Sequence, residues 1–333
     1  MNRLLSIGVC VYNGEKTIGD TLNSILLQIY RPIEVVIVND CSKDNTLRIV
    51  SDFKNKNDSV DFAVKIVNHE INTGIAEARN TCIANATGKW FGFIDSDDTL
   101  VPSYGVELIS HLEDEHAEIA VFDFNKVSNG RKERVHLFNK QDIRLEDYLL
   151  SFPNPWNKLY SLDLLHTFPQ PFNNYYYEDL GSIHRFFLKS KKTIYINQAF
   201  IDYNLGNGLS QCYDERTFQI LEIVKTRNLD FKMYADRFVD LKQTLLDDSV
   251  PRIFDQLIAL LQLKNKKELN KFYIDCLKYL NKEFEDDWKQ HSYFKINRHV
   301  LRLFRNLLKH KFGLVCLTYN PVITSYIKKN YRL

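Results

Sequence analysis

The chain has 333 residues, of which 44% are hydrophobic and 26% are charged. This ordinary globular composition predicts one large domain or two and excludes a disordered protein. The formal net charge is +2, and the six cysteines include no C-x-x-C pair, so neither a zinc site nor a disulfide framework is indicated. We therefore expect a protein of the reducing cytoplasm.

The sequence predicts no secretory or membrane-spanning segment. Residues 1–5 enter a strand-like run with one basic residue and no small-residue cleavage site. No apolar run approaches the roughly 18 residues that a transmembrane helix requires. The charge is unevenly distributed, however, because the residues from Trp288 onward include ten Lys or Arg and no Asp or Glu. The tail is therefore the basic part of the chain.

Strand and helix patterns alternate over the first hundred residues. Apolar runs that suit buried strands are separated by stretches of helical periodicity. The predicted strands cover residues 4–11, 33–38, 62–67 and 90–94, and the predicted helices cover residues 15–28, 46–53 and 75–86. Short loops between such units predict a right-handed parallel sheet with helices on both faces.

Polar residues gather at one edge of this predicted sheet. Asn13, Asp40, Gly74 and Asp95 each follow a strand or open a helix. Ligands of open α/β sheets bind outside the carboxyl ends of the strands, so we expect these four residues to meet on one rim. That rim is the candidate active site.

The fourth predicted strand runs directly into three carboxylates, Asp95, Asp97 and Asp98. If the backbone stays extended through Asp97, Asp95 and Asp97 point to the same side, because side chains on a strand alternate. Two crowded carboxylates repel unless a cation lies between them, and Mg²⁺ or Mn²⁺ shared with a diphosphate suits hard oxygen ligands. The structural alternative is a turn or a helix cap, for which Asp and Ser are also common.

Short helices and strands are mixed in the next hundred residues. The predicted helices cover residues 103–116, 145–150 and 178–188, and the predicted strands cover residues 119–124, 135–138, 193–196 and 201–203. Ser128-Asn129-Gly130 is a hairpin signal, and two prolines predict a fixed loop over residues 152–160. Glu178 and Asp179 stand at a predicted helix start, where the helix N-terminus stabilises an acid.

The pattern becomes almost wholly helical from Glu215 onward. Helices are predicted over residues 217–246, 251–263 and 267–284, and a last one begins near residue 296. This change of period predicts an α/β domain over residues 1–210, with halves of about 1–100 and 101–210. A helical C-terminal region would then cover residues 211–333.

The last predicted helix, residues 296–309, is amphipathic and basic. Its apolar face lies almost opposite a stripe formed by Arg298, Arg302, Arg305 and Lys309. Such a helix can lie on an anionic membrane surface. It can equally pack on its own domain or on a second copy of the chain with its basic face in water, which is the commoner use of an apolar helical face.

Six short motifs occur in order along the first two-thirds of the chain. They are SIGVCVYNGE at residues 6–15, VIVNDCSKDNT at 36–46, NTGIAEARN at 72–80, IDSDD at 94–98, PWNKLY at 155–160 and ED at 178–179. Together they resemble the family 2 glycosyltransferases. The resemblance covers about residues 4–210 and implies the GT-A fold, a Rossmann-like, mostly parallel α/β sheet with helices on both faces, here followed by an α-helical region.

The resemblance implies an inverting transfer of a sugar from a nucleotide diphosphate donor, usually a UDP-sugar. The acceptor would be a hydroxyl of a glycan, a glycoprotein or a lipid-linked molecule. Asp97 matches the ligand of Mn²⁺ or Mg²⁺, which would act as a Lewis acid on the departing diphosphate. Asp179 matches the general base, with Glu178 beside it as an orienter or second acid.

The other matched residues are expected to contact the substrates. Nucleotide contacts are implied for Val11, Tyr12, Glu15, Asp40, Gly74, Arg79, Asp95 and Ser96, with Asp40 accepting from the base. Contacts on the sugar side of the pocket are implied for Trp156, Asn157 and Lys158. Each has a structural alternative, since Tyr12 and Trp156 suit a core equally well and an Asp at a helix start is often a cap.

Three positions depart from the family pattern. Cys10 stands where proline is frequent, and Cys41 stands where glycine commonly follows the nucleotide-binding acid. Cys41 must therefore adopt a glycine-like turn, or the turn must differ. The loop of residues 206–210 lacks the arginine often seen there. The resemblance therefore does not imply a diphosphate contact by this loop.

Two other functions fit the same rim. A nucleotidyltransferase also uses a metal and carboxylates at a sheet edge, and a non-catalytic sugar-nucleotide-binding or scaffold protein would retain the pocket. No phosphate-loop motif occurs, and nucleic-acid binding rests on the basic tail alone, so neither an ATPase nor a nucleic-acid partner is expected. We expect a cytoplasmic protein, peripheral at the inner face of the membrane or homo-oligomeric through its C-terminal helices.

Overall fold

The structure is a computed structural model that describes residues 3–205, 215–262 and 265–295. The chain divides into two compact units, Met1–Leu209 and Ser210–Leu333. The first unit is built on one sheet, and the described residues of the second are helical.

Four parallel strands form the first half of the sheet. The chain runs through β1 (Leu5–Val11), α1 (Ile18–Leu26), β2 (Ile33–Asn39), α2 (Thr46–Asn57), β3 (Phe62–Asn68), α3 (Ile75–Asn85) and β4 (Trp90–Asp95). The order in the sheet is β3-β2-β1-β4, and all three pairings are parallel. Every residue of β2 is buried, as expected of a strand covered on both faces. The predicted strand and helix alternation is confirmed.

The second half of the sheet is mixed. It contains β5 (Thr99–Leu100), α4 (Tyr104–Asp114), β6 (Ile119–Ser128), β7 (Arg131–Val135), α5 (Leu145–Leu150), β8 (Lys158–Ser161), α6 (Leu162–His166), α7 (Ile183–Lys189) and β9 (Thr193–Asn204). The complete order is β3-β2-β1-β4-β8-β6-β9-β5, with β7 paired to β6. Because β8 runs antiparallel to both β4 and β6, the sheet as a whole is mixed rather than mostly parallel.

Strand β8 corrects the prediction of a loop over residues 152–160. Its Leu159 pairs with Gly92 of β4 and Ala120 of β6 and is fully buried. The two prolines at positions 153 and 155 restrict only the residues that precede the strand. The predicted loop therefore ends where the chain enters the centre of the sheet.

Two further boundaries differ from the prediction. β9 is a single strand where two short strands are predicted, and register irregularities opposite Phe122 and Asp123 of β6 accommodate it. α7 begins at Ile183, so Glu178 and Asp179 lie in the turns before it and not in its first turn. The position of these two acids is therefore not explained by the N-terminus of that helix.

Gly92 of β4 packs directly against Tyr104 of α4. A β-carbon on Gly92 would lie 2.0 Å from the Tyr104 hydroxyl, which is buried and has no hydrogen-bond partner among the described residues. We expect Gly92→Ala to lower the free energy of unfolding by about 1–3 kcal/mol through overpacking. Adding Tyr104→Phe removes the clashing oxygen and should restore most of the loss. Urea denaturation of both single variants and the double variant tests this; a loss unchanged by Tyr104→Phe would contradict the contact.

The described residues of the second unit form three long helices, α8 (Ile220–Met233), α9 (Leu241–Ala259) and α10 (Lys266–Phe284). The single helix predicted over residues 217–246 is interrupted. α9 begins at Leu241, after the N-cap residue Asp240, whose side chain accepts a hydrogen bond from the Gln243 N–H. The predicted basic helix over residues 296–309 lies outside the described residues. In the part of the chain that the structure describes, no helix is long and apolar enough to span a bilayer.

Candidate active site

The carboxyl ends of β1, β2 and β4 meet at one rim of the sheet, as their parallel register requires. The loops after β1 and β2 are joined there. The Asn13 N–H donates to Ser42 Oγ at 2.9 Å, and the Asn13 side-chain oxygen accepts from the Lys43 N–H at 2.8 Å. The strand ends named by the sequence therefore lie side by side.

Asp40, at the end of β2, holds the loop that precedes α3. Its Oδ1 accepts from the Thr73 N–H at 2.9 Å and lies 2.8 Å from His69 Nδ1, and its Oδ2 accepts from the Gly74 N–H at 2.9 Å. Burial alone would raise the pKa of Asp40, but these hydrogen bonds outweigh it and hold that pKa below its ordinary value. Asp40 is thus charged, and a nucleobase would have to use its remaining lone pairs.

Three residues at this rim, Asn13, Cys41 and Gly74, adopt left-handed backbone conformations. Gly74, which precedes α3, has a φ of 88°, and no other atom lies within 4 Å of the position of a β-carbon there. Open space therefore faces this glycine. Cys41 has a φ of 63°, so it keeps the glycine-like turn although it carries a side chain.

The other residues predicted to contact the nucleotide differ in accessibility. Val11 is buried, whereas Tyr12 is 49% exposed at the end of β1. Glu15 Oε2 accepts from the backbone N–H of the N-cap residue of α2 at 3.0 Å. Ser96 Oγ lies 3.7 Å from the position of a β-carbon on Gly14. Tyr12 thus offers a ligand an accessible aromatic ring, while Glu15 already bonds within the protein.

The acidic stretch after β4 forms a turn. The Asp98 N–H donates to the Asp95 carbonyl at 3.1 Å, which closes a four-residue turn. The extended backbone assumed in the alternation argument is therefore absent, and the turn itself brings the carboxylates together. Burial and the charge of Asp95 raise the pKa of Asp97, and the same two causes raise the pKa of Asp98 to about 8. A cation would relieve this repulsion.

Asn204, the last residue of β9, fixes this carboxylate turn. Its N–H donates to Asp98 Oδ1 at 2.8 Å, and its side-chain Nδ2 donates to the Asp97 carbonyl at 2.6 Å. Asp98 Oδ2 is buried and has no hydrogen-bond partner within the described ranges. Among residues 3–205, 215–262 and 265–295, no group of three or more His, Cys, Asp or Glu side chains is arranged to hold a metal ion.

Arg79 of α3 connects the end of β4 to the segment before α7. Its guanidinium is buried and lies 5.8 Å from the ring of Phe93 and 5.6 Å from the ring of Phe172. Nη2 donates to Asp95 Oδ1 at 3.3 Å, and Nη1 forms a close ion pair with Glu178 Oε1. A nucleotide contact by Arg79 would have to use the N–H groups that remain.

Burial and charge act in opposite directions on this ion pair. Desolvation would lower the pKa of Arg79, but Glu178 and Asp95 raise it above its ordinary value, so the guanidinium stays charged. Burial raises the pKa of Glu178, and the charge of Arg79 opposes this rise. Each partner of the buried pair therefore depends on the other to stay charged.

Asp179 lies beside this pair and is partly exposed. Its Oδ1 accepts from the Leu180 N–H at 2.6 Å, which orients the carboxylate. Its charge acts on the pKa of Arg79, Glu178 and Lys158, so all four ionisable groups share one neighbourhood. Through Arg79 and Asp95, that neighbourhood is continuous with the carboxylate turn.

The packing of Trp156, Asn157 and Lys158 does not match the prediction that they line the sugar side of a pocket. The Trp156 ring is 4% exposed and stacks on Tyr203 with 5.3 Å between centroids. Asn157 and Lys158 are fully buried. Lys158 Nζ donates to Asn157 Oδ1 at 2.7 Å and to two carbonyls of the preceding loop at 3.1 and 2.6 Å. Their polar groups therefore fix the chain ahead of β8.

Burial lowers the pKa of Lys158 to about 7. An unfolded chain keeps a lysine pKa of about 10.4, so between about pH 7 and 10 the unfolded state binds more protons and the free energy of unfolding should rise with pH. We expect this rise, up to about 1.4 kcal/mol per pH unit, to be absent in Lys158→Met. Urea unfolding across this range measures it, with the exposed Lys191→Met as control; identical pH dependence of wild type and Lys158→Met would contradict it.

Several residues of the rim escape prediction from the sequence. His69 follows β3 directly and joins Asp40 to Thr81 of α3, whose Oγ1 lies 3.0 Å from His69 Nε2. Its position one residue after a strand was a usable signal. Phe172 and Asn204 reach the site from distant segments without a motif, so the sequence offered no such signal for them.

The part of the chain that forms the rim and the carboxylate turn matches a known protein family. Residues 6–168 match the family model described as Glycosyl transferase family 2. The matched range contains β1 to β8, the rim and the carboxylate turn. This part of the chain belongs to glycosyl transferase family 2. The predicted family and enzyme class, a glycosyltransferase, are confirmed for these residues.

Two curated glycosyltransferases of Streptococcus pneumoniae serotype 4 are similar to this chain. GlyA is 28% identical over 238 residues, which are 65% of this chain and 33% of GlyA. GlyG is 25% identical over 224 residues, which are 62% of this chain and 73% of GlyG. The aligned part of the chain thus spans about a third of the length of GlyA.

Solved structures extend the similarity beyond the family match. The crystal structure of residues 1–349 of Staphylococcus aureus TarS in complex with UDP-GlcNAc has a TM-score of 0.73 to this chain. The two are 21% identical, and the match covers 98% of this chain and 92% of the TarS chain. The predicted fold class is confirmed as a GT-A α/β sheet with flanking helices, followed by a helical region. The roles of individual residues remain predictions.

Proposed function

We propose that this chain is an inverting glycosyltransferase that moves a sugar from a UDP-sugar to an acceptor hydroxyl. The observation that carries the proposal is the Arg79 bridge, which connects Asp95 at the end of β4 with Glu178 beside Asp179. This contact supports a donor site at the strand ends with a base for the acceptor beside it. Family membership supplies the reaction class.

The proposed base is Asp179. It takes the proton from the acceptor hydroxyl while that oxygen attacks the anomeric carbon from the face opposite the leaving diphosphate. One such displacement inverts the configuration at that carbon. Glu178, held by Arg79, orients its neighbour.

The carboxylate turn fits a divalent cation that is completed by substrate oxygens. The raised pKa values of Asp97 and Asp98, together with the unpartnered Asp98 Oδ2, are what a turn that lacks its counter-charge would show. A complete protein cage is not found among the described residues, which suits Mg²⁺ or Mn²⁺ shared with a diphosphate. Asp97 would hold the ion, and the ion would supply Lewis-acid stabilisation of the departing diphosphate.

The donor class rests on the nucleotide end of the rim. Tyr12 supplies an exposed ring, Asp40 retains acceptor capacity for a base, and open space faces Gly74. The UDP-GlcNAc complex of TarS, a structure of the same fold, makes UDP-GlcNAc the first donor to test. We further propose a glycan, glycoprotein or lipid-linked acceptor. Oligomerisation or peripheral membrane contact would run through the C-terminal helices.

The test is a product analysis with the purified chain. UDP-sugars are incubated with Mn²⁺ or Mg²⁺, with and without carbohydrate acceptors, and free UDP is quantified. Release of UDP, with the anomeric configuration of the product inverted by NMR, would support the proposal. Release of pyrophosphate in a parallel incubation with UTP and a sugar 1-phosphate would indicate a nucleotidyltransferase instead. Tight UDP binding without turnover of any donor would indicate a binding or scaffold protein.

A further inference from the structure

Two thiols lie in contact beneath the rim, and neither has a part in the proposed reaction. Cys10 Sγ, near the end of β1, is 3.6 Å from Cys82 Sγ of α3. Cys10 occupies the position where the family pattern often has proline, so the pair is a feature of this chain's own sequence. Cys41 and Cys276, the other cysteines in the described ranges, are also free thiols. Within those ranges, neither of them lies in contact with a second sulfur.

The closeness of the two thiols follows from the packing of α3 on β1. Gly8 of β1 has no side chain, and a β-carbon added there would lie 3.1 Å from Cys82 Cβ and 2.7 Å from Phe91. The helix can therefore approach the strand closely at this level. A disulfide needs a sulfur separation of about 2.05 Å, so side-chain rotation and a small movement of α3 would close the gap.

We propose that Cys10 and Cys82 form a reversible oxidation site that responds to peroxides. Cys10 is half-buried and can be reached from the rim, whereas Cys82 is fully buried and can react only with its neighbour. Cys10 is thus the thiol that meets the oxidant, and Cys82 is the resolving thiol.

The chemistry balances with hydrogen peroxide as the only co-reactant. The Cys10 sulfur attacks a peroxide oxygen, forming a sulfenic acid and releasing one water. The Cys82 sulfur then attacks the sulfenic sulfur, its proton leaves with the displaced hydroxide as a second water, and the disulfide forms. Two thiols lose two electrons in total and the peroxide gains them. Burial raises the pKa of Cys82, which protects its thiol from reacting until the sulfenic acid is beside it.

The disulfide would disturb the proposed active site through α3. Arg79 lies one helical turn before Cys82, and Cys10 is the register partner of Asp95 in β4. Drawing Cys82 towards β1 therefore moves the guanidinium that holds Asp95 and Glu178. On the proposed function, oxidation should lower transfer activity about ten- to a hundred-fold, since a misplacement of about 1 Å has effects of this size. Reduction with dithiothreitol should restore it.

The experiment treats the folded full-length chain with hydrogen peroxide and maps linked peptides by mass spectrometry without reduction. We expect a Cys10–Cys82 linked peptide that dithiothreitol removes. Cys82→Ala and Cys10→Ala should each abolish it, and Cys276→Ala, which changes a buried thiol of the second unit, should not. Two separate variants guard against one that fails to fold, and thermal melts identify such a variant.

Free Cys10 and Cys82 thiols at a peroxide dose that fully oxidises Cys41 would overturn the proposal. A link that forms only in denatured protein would overturn it as well. Peptide mapping needs no activity, so the site can be established or rejected even if the proposed transfer reaction fails. A fully linked protein with undiminished transfer activity would overturn the claimed effect on the active site.

Discussion

Replacing Asp179 by asparagine is expected to reduce the turnover of sugar transfer by about 10²- to 10⁴-fold, the usual contribution of a general base. The amide cannot take the proton of the acceptor hydroxyl, while its size and its hydrogen bond from the Leu180 N–H can be kept. UDP binding should change little, because the proposed role of Asp179 is to contact the acceptor and not the nucleotide. Initial rates at saturating donor, together with a UDP titration, measure both effects.

The matched control is Asp163→Asn, which removes an exposed carboxylate in the first turn of α6, outside the rim. Its turnover should equal that of the wild type. Full activity in Asp179→Asn would remove Asp179 as the base. A large loss in Glu178→Gln combined with full activity in Asp179→Asn would transfer the role to Glu178.

Replacing Arg79 by methionine should have the largest effect on stability. The variant leaves the buried Glu178 carboxylate without its ion-pair partner and weakens the support of Asp95. Removal of one partner of a buried pair typically costs about 3–5 kcal/mol. Urea denaturation should show a loss of this size in Arg79→Met. Adding Glu178→Gln neutralises the stranded charge and should recover a large part of it.

Arg48→Met is the matched control, because Arg48 forms an exposed pair with Asp52 on α2. Exposed pairs of this kind contribute about 0–1 kcal/mol. Equal losses in the Arg79 and Arg48 variants would contradict the buried bridge. The double variant Arg79→Met/Glu178→Gln provides a second check. A loss of stability equal to the sum of the losses in Arg79→Met and in Glu178→Gln would also contradict the bridge, since coupled residues do not behave additively.

The rim was predictable because its residues sit next to the strands that carry them. Asn13, Asp40 and Asp95 follow apolar runs that form buried strands, and parallel strands bring their carboxyl ends to one edge. The same local logic located Gly74, whose positive φ agrees with the glycine requirement of its position. Each of these inferences needed only a short stretch of sequence.

The bridge across the site could not be predicted in this way. Arg79 and Glu178 are 99 residues apart, and their pairing depends on how α3 packs against a segment that has no regular structure. The strand that begins at Lys158 was missed for a related reason. Two prolines suggested a fixed loop over residues 152–160, whereas Lys158–Ser161 enter the middle of the sheet as β8.

The hydrogen bonds of Asn204 restrict how the proposed substrates can enter and leave the site. Its two hydrogen bonds, with the adjacent pairing of β5 to β9, tie the last strand of the sheet to the segment that carries Asp97. A movement of β9 away from the segment that carries Asp97 would break all of these bonds at once. We therefore expect the proposed donor to enter, and its nucleotide to leave, without opening this joint.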